Sequence, residues 1–206
     1  MGTRDTRTAL LEAARPLFAR RGYTATSVRS ITRAAGVNLG AVTYHFGSKR
    51  ALYEAVLTQA TQPLLDAVGE TTGGPPAAAA TESIETALRR LLAAQREHDD
   101  LPGLLFQEAA AGHDVPEAVA KTLHQILEGL AALVRQGKTY GSVEAGDPVL
   151  TAASLLGQTL SFGLLWRTLA RPAPHGVMGR SQAGLEAHVV DFTRRALARD
   201  RGSGRG

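Results

Sequence analysis

Apolar residues recur along this chain at the three- and four-residue intervals of an α-helix, and no segment alternates apolar and polar positions for the length of a strand. The pattern predicts an all-α protein. Leu10, Ala14, Leu17 and Phe18 form one apolar face and predict a first helix over about residues 5–21. Pro16 is expected to kink it or shorten its first half, and Gly22 to close it. A second, short helix is expected from a Thr26 or Ser27 N-cap to Gly36, with Val28, Ile31 and Ala35 inward. Asn38 is expected to cap a third short helix that turns Val42 and Phe46 inward before Gly47 breaks it. The fourth, about 48–69, buries Leu52, Tyr53, Val56 and Leu57, bends at Pro63, and is expected to be the one continuous element joining head to body.

Beyond it, residues 70–79 (ETTGGPPAAA) read as a loop. Helices are then expected over about 80–98 (Ile84, Leu88, Leu91 and Leu92 inward), 102–111 and 115–137. An Asp114-x-x-Glu117 box with Pro116 in the first turn opens the last of these. Asp147 and Pro148 start another helix reaching about Ala170, residues 171–180 form a loop, and a final helix covers about 181–200 before a frayed tail. The helix from Val149 to Ala170 is apolar nearly all round. Its length approaches a membrane span, but Gln158, Arg167 and several hydroxyls interrupt it, so burial between protein surfaces is the expectation. Gly157, Ser161 and Gly163 would admit a neighbouring helix closely.

Charge changes this picture more than composition does. With 206 residues, 44% apolar and 20% charged, the chain has room for a small domain fused to a larger one. The absence of cysteine excludes disulfides and thiolate metal sites. No apolar stretch follows Met1, which points to the cytoplasm and away from a membrane. The net charge of +4 is unevenly spread: residues 1–50 hold nine Lys or Arg against two acids, a net of +7, and the remaining 14 bases and 17 acids give −3. A basic head on a mildly acidic body suits a chain whose one end meets a polyanion.

Two short helices separated by Gly36-Val37-Asn38 make a helix-turn-helix, whose second helix enters the major groove. Residues 38–45 carry no acid. The run ARRGYTATSVRSITRAAGV, followed by Tyr44-His45-Phe46 and Lys49-x-x-Leu52, resembles the DNA-binding head of the tetracycline-repressor-like (TetR) family over roughly residues 8–57. The resemblance implies a head at 1–50 and an effector-binding, dimerising helical body at 51–206. It implies base reading by Arg29 and by Leu39, Gly40, Ala41 and Thr43, taken as exposed, and phosphate contacts from Ser27, Tyr44, His45 and Lys49. Asn38 belongs to the same DNA-facing set. An arginine fork suits guanine O6 and N7, whereas the small residues suit thymine methyls and DNA shape. Tyr44 also admits a reading as a core aromatic, and Arg33 is left open between a solvated face and a DNA contact.

The body offers little to an enzyme reading. Its histidines stand in no H-E-x-x-H or E-x-x-H arrangement, and no nucleophile elbow, P-loop or dinucleotide fingerprint occurs, so no catalytic residue, metal or cofactor is expected. An effector pocket between helices is the better use of it. Its candidates are Phe106, Gln107, His113, His124, Gln158, Phe162 and Trp166, which suit a mainly apolar or aromatic small molecule. The expectation is a homodimeric repressor on a palindromic operator, joined through the last two long helices. The alternatives are a regulator without an inducer, and a helical carrier or enzyme keeping the head as scaffold.

Overall fold

The computed structural model describes residues 5–69, 80–98, 100–110, 115–144, 146–169 and 182–198. Within them lie helices α1 (Thr6–Ala25), α2 (Val28–Ala35), α3 (Ala41–Phe46), α4 (Lys49–Gly69), α5 (Ala80–Glu97), α6 (Leu101–Ala110), α7 (Glu117–Thr139), α8 (Pro148–Leu169) and α9 (Gln182–Leu197), with no strand. The expected loops at 70–79 and 171–180, the Asp114 end of the capping box and the tail lie outside the described residues. Contacts divide the chain into two units, residues 1–62 with 100–122 and residues 63–99 with 123–206.

In the first unit α1 packs on α2, α3 and α6. Leu10, Leu11, Ala14, Leu17 and Phe18 of α1 are buried, as are Leu52, Tyr53, Val56 and Leu57 of α4. The expected kink falls elsewhere than at Pro16. The helix runs through the proline, and the non-helical residue is Gly22 (φ 76°, ψ 173°), which frees its carbonyl and that of Leu17 to accept the buried Thr26 hydroxyl at 2.8 and 3.2 Å. In α2 the interior positions are Ile31 and Thr32, with Val28 and Ala35 only half-buried.

Two contacts hold α6 to α1 across more than 80 residues of chain. Arg15 donates from Nε and Nη2 to both carboxylate oxygens of Asp100 at 2.8 and 2.7 Å, and Gln107 Nε2 donates to the Ala19 carbonyl at 2.8 Å. Residues following α5 thus belong to the same compact unit as the head. Nor is α4 the one helix shared between the units, because α7 divides between Thr122 and Leu123 just as α4 divides between Gln62 and Pro63.

In the second unit α5 packs against α8 and α9. Ile84, Leu88, Leu91 and Leu92 of α5 and Val189, Val190 and Leu197 of α9 are buried. Glu85 meets Arg194 at 2.6 and 2.8 Å and Arg96 meets Glu186 at 2.8 Å, a register that makes α5 and α9 antiparallel. Asp147 caps α8 by accepting from the Val149 and Leu150 amides at 2.8 and 2.9 Å.

Candidate nucleic-acid interface

The turn between α2 and α3 is built by its caps. Ser27 Oγ accepts from the Ser30 amide at 3.1 Å and leaves its own hydroxyl proton free to donate outward. Gly36, left-handed at φ 70°, ends α2. Its amide donates to the Arg33 carbonyl, and the Val37 amide reaches back to Thr32 at 3.0 Å, the paired closure that a left-handed residue permits. At the start of α3 the Asn38 side chain makes no cap. The tight turn through Leu39 and Gly40 brings the Asn38 backbone carbonyl to the Ala41 amide at 3.2 Å instead, and the side chain stays in solvent.

The face so formed exposes Ser27, Arg29, Asn38, Leu39, Gly40, Thr43 and Tyr44. Tyr44 is 85% exposed, which removes its reading as a core aromatic; its ring meets that of half-buried His45 edge-on at 4.9 Å. Ala41 corrects the expectation of an exposed base-reading position. It is 7% exposed, because it shares the inward side of α3 with Val42. Phe46 is half-buried, and the Arg7 guanidinium lies over its ring at 5.1 Å.

The electrostatics separate head from body. Arg20, Arg21, Arg29 and Arg33 are exposed and, among the described residues, form no ion pair. Arg89, Arg96, Arg135, Arg194 and Arg195 of the second unit all face carboxylates within 3.9 Å. Arg33, left open by the sequence, is therefore an available cation. Lys49 Nζ lies 4.2 Å from the centre of the Tyr23 ring, itself packed on Tyr53 at 5.0 Å. Partial burial holds the Lys49 ammonium below the usual lysine range, so a phosphate oxygen would restore solvation it has lost. Sequence reasoning counted Arg7 only among the bases of the head and gave neither it nor Tyr23 a role in the site. An aromatic three positions before the buried Thr26 was the available signal for Tyr23; nothing in sequence links Arg7 to Phe46.

The effector candidates are scattered. Phe106 is 41% exposed and His124 is exposed, while Gln107 is held by the Ala19 carbonyl. Gln158 and Phe162 lie about one turn apart on α8, both half-buried, and Gln158 Oε1 accepts from Thr193 at 3.5 Å. His113 and the side chain of Trp166 lie outside the described residues. Gln95, which the sequence did not single out, is 5% exposed; its Nε2 turns back to Leu91 at 3.3 Å and its Oε1 has no donor among the described residues.

An exposed, acid-free helix-turn-helix flanked by unpaired cations is the surface of a DNA-binding protein. The family described as "Bacterial regulatory proteins, tetR family" matches residues 10–56. The chain is 27% identical over 154 residues to the uncharacterized HTH-type transcriptional regulator YhgD of Bacillus subtilis (strain 168), covering 74% of this chain and 79% of that protein. It is 45% identical over 56 residues to the HTH-type transcriptional repressor KstR2 of Rhodococcus jostii (strain RHA1), covering 27% and 28%. Its fold resembles that of a tetR-family regulatory protein from Rhodococcus RHA1, with a TM-score of 0.77 at 17% identity, covering 96% of this chain and all of that one. It also resembles AibR, solved with isovaleryl coenzyme A and operator DNA, with a TM-score of 0.69 at 19% identity, covering 94% and 98%. Over residues 10–56 the chain carries the DNA-binding head of the tetR-family bacterial regulators, and it is a helix-turn-helix transcriptional regulator.

Proposed function

We propose that this regulator is a cytoplasmic, non-enzymatic repressor that grips a palindromic operator as a homodimer and is released when a small, mainly apolar molecule binds its second unit. The observation that carries the dimer is α8: a window apolar enough to cross a membrane is only 22% buried within the chain. Leu150 (70% exposed), Ala153, Gly157 and Leu165 make an exposed stripe along it, and Gly184, His188 and Phe192 make another on α9. A second copy covers both stripes by two-fold symmetry, the commonest closed arrangement. In the operator complex Arg29 reads a base edge, Leu39, Gly40 and Thr43 meet the groove, and Ser27, Tyr44, His45 and Lys49 hold phosphates.

Gln95 supports the effector. An amide oxygen buried without a donor costs about 1–3 kcal/mol, and a ligand hydroxyl or N–H beside the apolar flank of α5 would remove that cost. AibR shows that a protein of this fold binds both an acyl thioester and DNA. A thermal-shift panel of fatty acyl, steroid and aromatic compounds, followed by titration against labelled bound DNA, tests the reading. The expected hit raises the melting midpoint and frees DNA in the wild type but not in Gln95→Leu, whose unliganded stability is equal or higher. A panel in which every stabilising compound leaves DNA bound, or acts equally on Gln95→Leu, would contradict it.

A further inference from the structure

We infer that Arg7, which no part of the helix-turn-helix pattern contains, is a further DNA-backbone contact held ready by the ring of Phe46. The guanidinium lies over that ring at 5.1 Å, and Phe46 is the last residue of α3. A cation over an aromatic face is drawn to the ring while its N–H donors stay free at the rim. Arg7 is exposed and, among the described residues, forms no ion pair; the adjacent carboxylate of Asp5 accepts from Thr8 instead. It also sits in the first turn of α1, where the helix dipole disfavours a positive charge; the first turn itself holds no acid, and the nearest is the N-cap Asp5. The dipole thus gives no reason for an arginine here, whereas an external anion does.

Lys49 repeats the construction. It opens α4, again without an acid in the first turn, and its ammonium is seated over Tyr23 at 4.2 Å. Only Gly47 and Ser48 separate Phe46 from Lys49, so the C-terminal end of α3 carries one cation on a ring contributed by α3 itself and is followed by another on a ring contributed by α1. Seating a long side chain beforehand lowers the entropy lost when it meets a phosphate. Arg7 is thus a positioning contact, indifferent to sequence.

Because a phosphate contact needs no operator, the test uses a labelled random-sequence duplex and the full chain, with affinity measured by anisotropy from 50 to 200 mM salt. Each neutralised phosphate contributes about −0.9 to the slope of log K against log salt. Arg7→Ala and Arg7→Gln are expected to lower the magnitude of the slope by about 0.9 per head on the DNA. Over that range the wild type then loses roughly three- to fourfold more affinity per head than either variant. Arg7→Lys keeps the wild-type slope, and Arg135→Ala, which removes an exposed cation of the second unit, leaves it unchanged. An unaltered slope in Arg7→Ala and Arg7→Gln, or an equal change in Arg135→Ala, overturns the assignment.

Discussion

Arg29 and Lys49 carry the same charge in different settings. Arg29 is an unpaired, exposed fork beside the α2 cap, whereas Lys49 is a half-buried point charge seated on Tyr23. Lys49→Ala should weaken operator and random DNA by the same factor and flatten the salt dependence by about 0.9 per head. Arg29→Ala should cost about 1–3 kcal/mol on the operator and relax preference at one base pair. Binding titrations on both duplexes at two salt concentrations separate these outcomes. At this scale the exposure of the candidate DNA face was largely legible in sequence, because an acid-free run after a helix-breaking glycine admits few uses. Ala41 was misplaced because α3 has only six residues, and one residue of rotation turns a groove position into a core one. Arg7 and Gln95 were illegible, since each is defined by what surrounds it in space.

The elements themselves were written in the spacing of apolar residues and of capping and breaking residues, and the nine helices among the described residues lie within a few residues of their expected bounds. What periodicity cannot carry is which helices meet. The Arg15–Asp100 fork and the Gln107–Ala19 bond place α6 on α1 through partners 85 and 88 residues apart. The α5–α9 seam has a similar origin and a measurable pH dependence. Hydrogen bonding to Arg194 is the largest influence holding the Glu85 carboxyl below its ordinary value of 4.5, outweighing the upward push of desolvation. A carboxylate so lowered contributes stability that is fully present above its unfolded value and is lost as pH falls through the lowered one. Urea melts of wild type and Glu85→Gln should therefore differ near neutrality and converge below about pH 4.5. A constant difference down to the acid limit would show that Glu85 acts only by packing.

At the scale of the whole molecule the same chain must satisfy two surfaces, a DNA face that stays exposed and an α8–α9 face that a second copy is proposed to cover. Two recognition helices reach successive major grooves only about 34–36 Å apart, so an effector that changes the spacing by a few ångströms releases one of them. A ligand preferring the released arrangement a hundredfold supplies about 2.7 kcal/mol per site, and operator binding must weaken ligand binding by the same factor. Sedimentation of the wild type and of Gly157→Arg, with and without a duplex selected from a random pool, tests this architecture most directly. Nothing lies within 4 Å of a Cβ built at Gly157, so the arginine fits the single chain and should act only on the covered face. The account predicts a micromolar wild-type dimer, an even number of chains on a palindromic duplex, and a folded Gly157→Arg monomer that binds that duplex far more weakly. A wild type that sediments as a monomer and loads singly onto the selected DNA would contradict it.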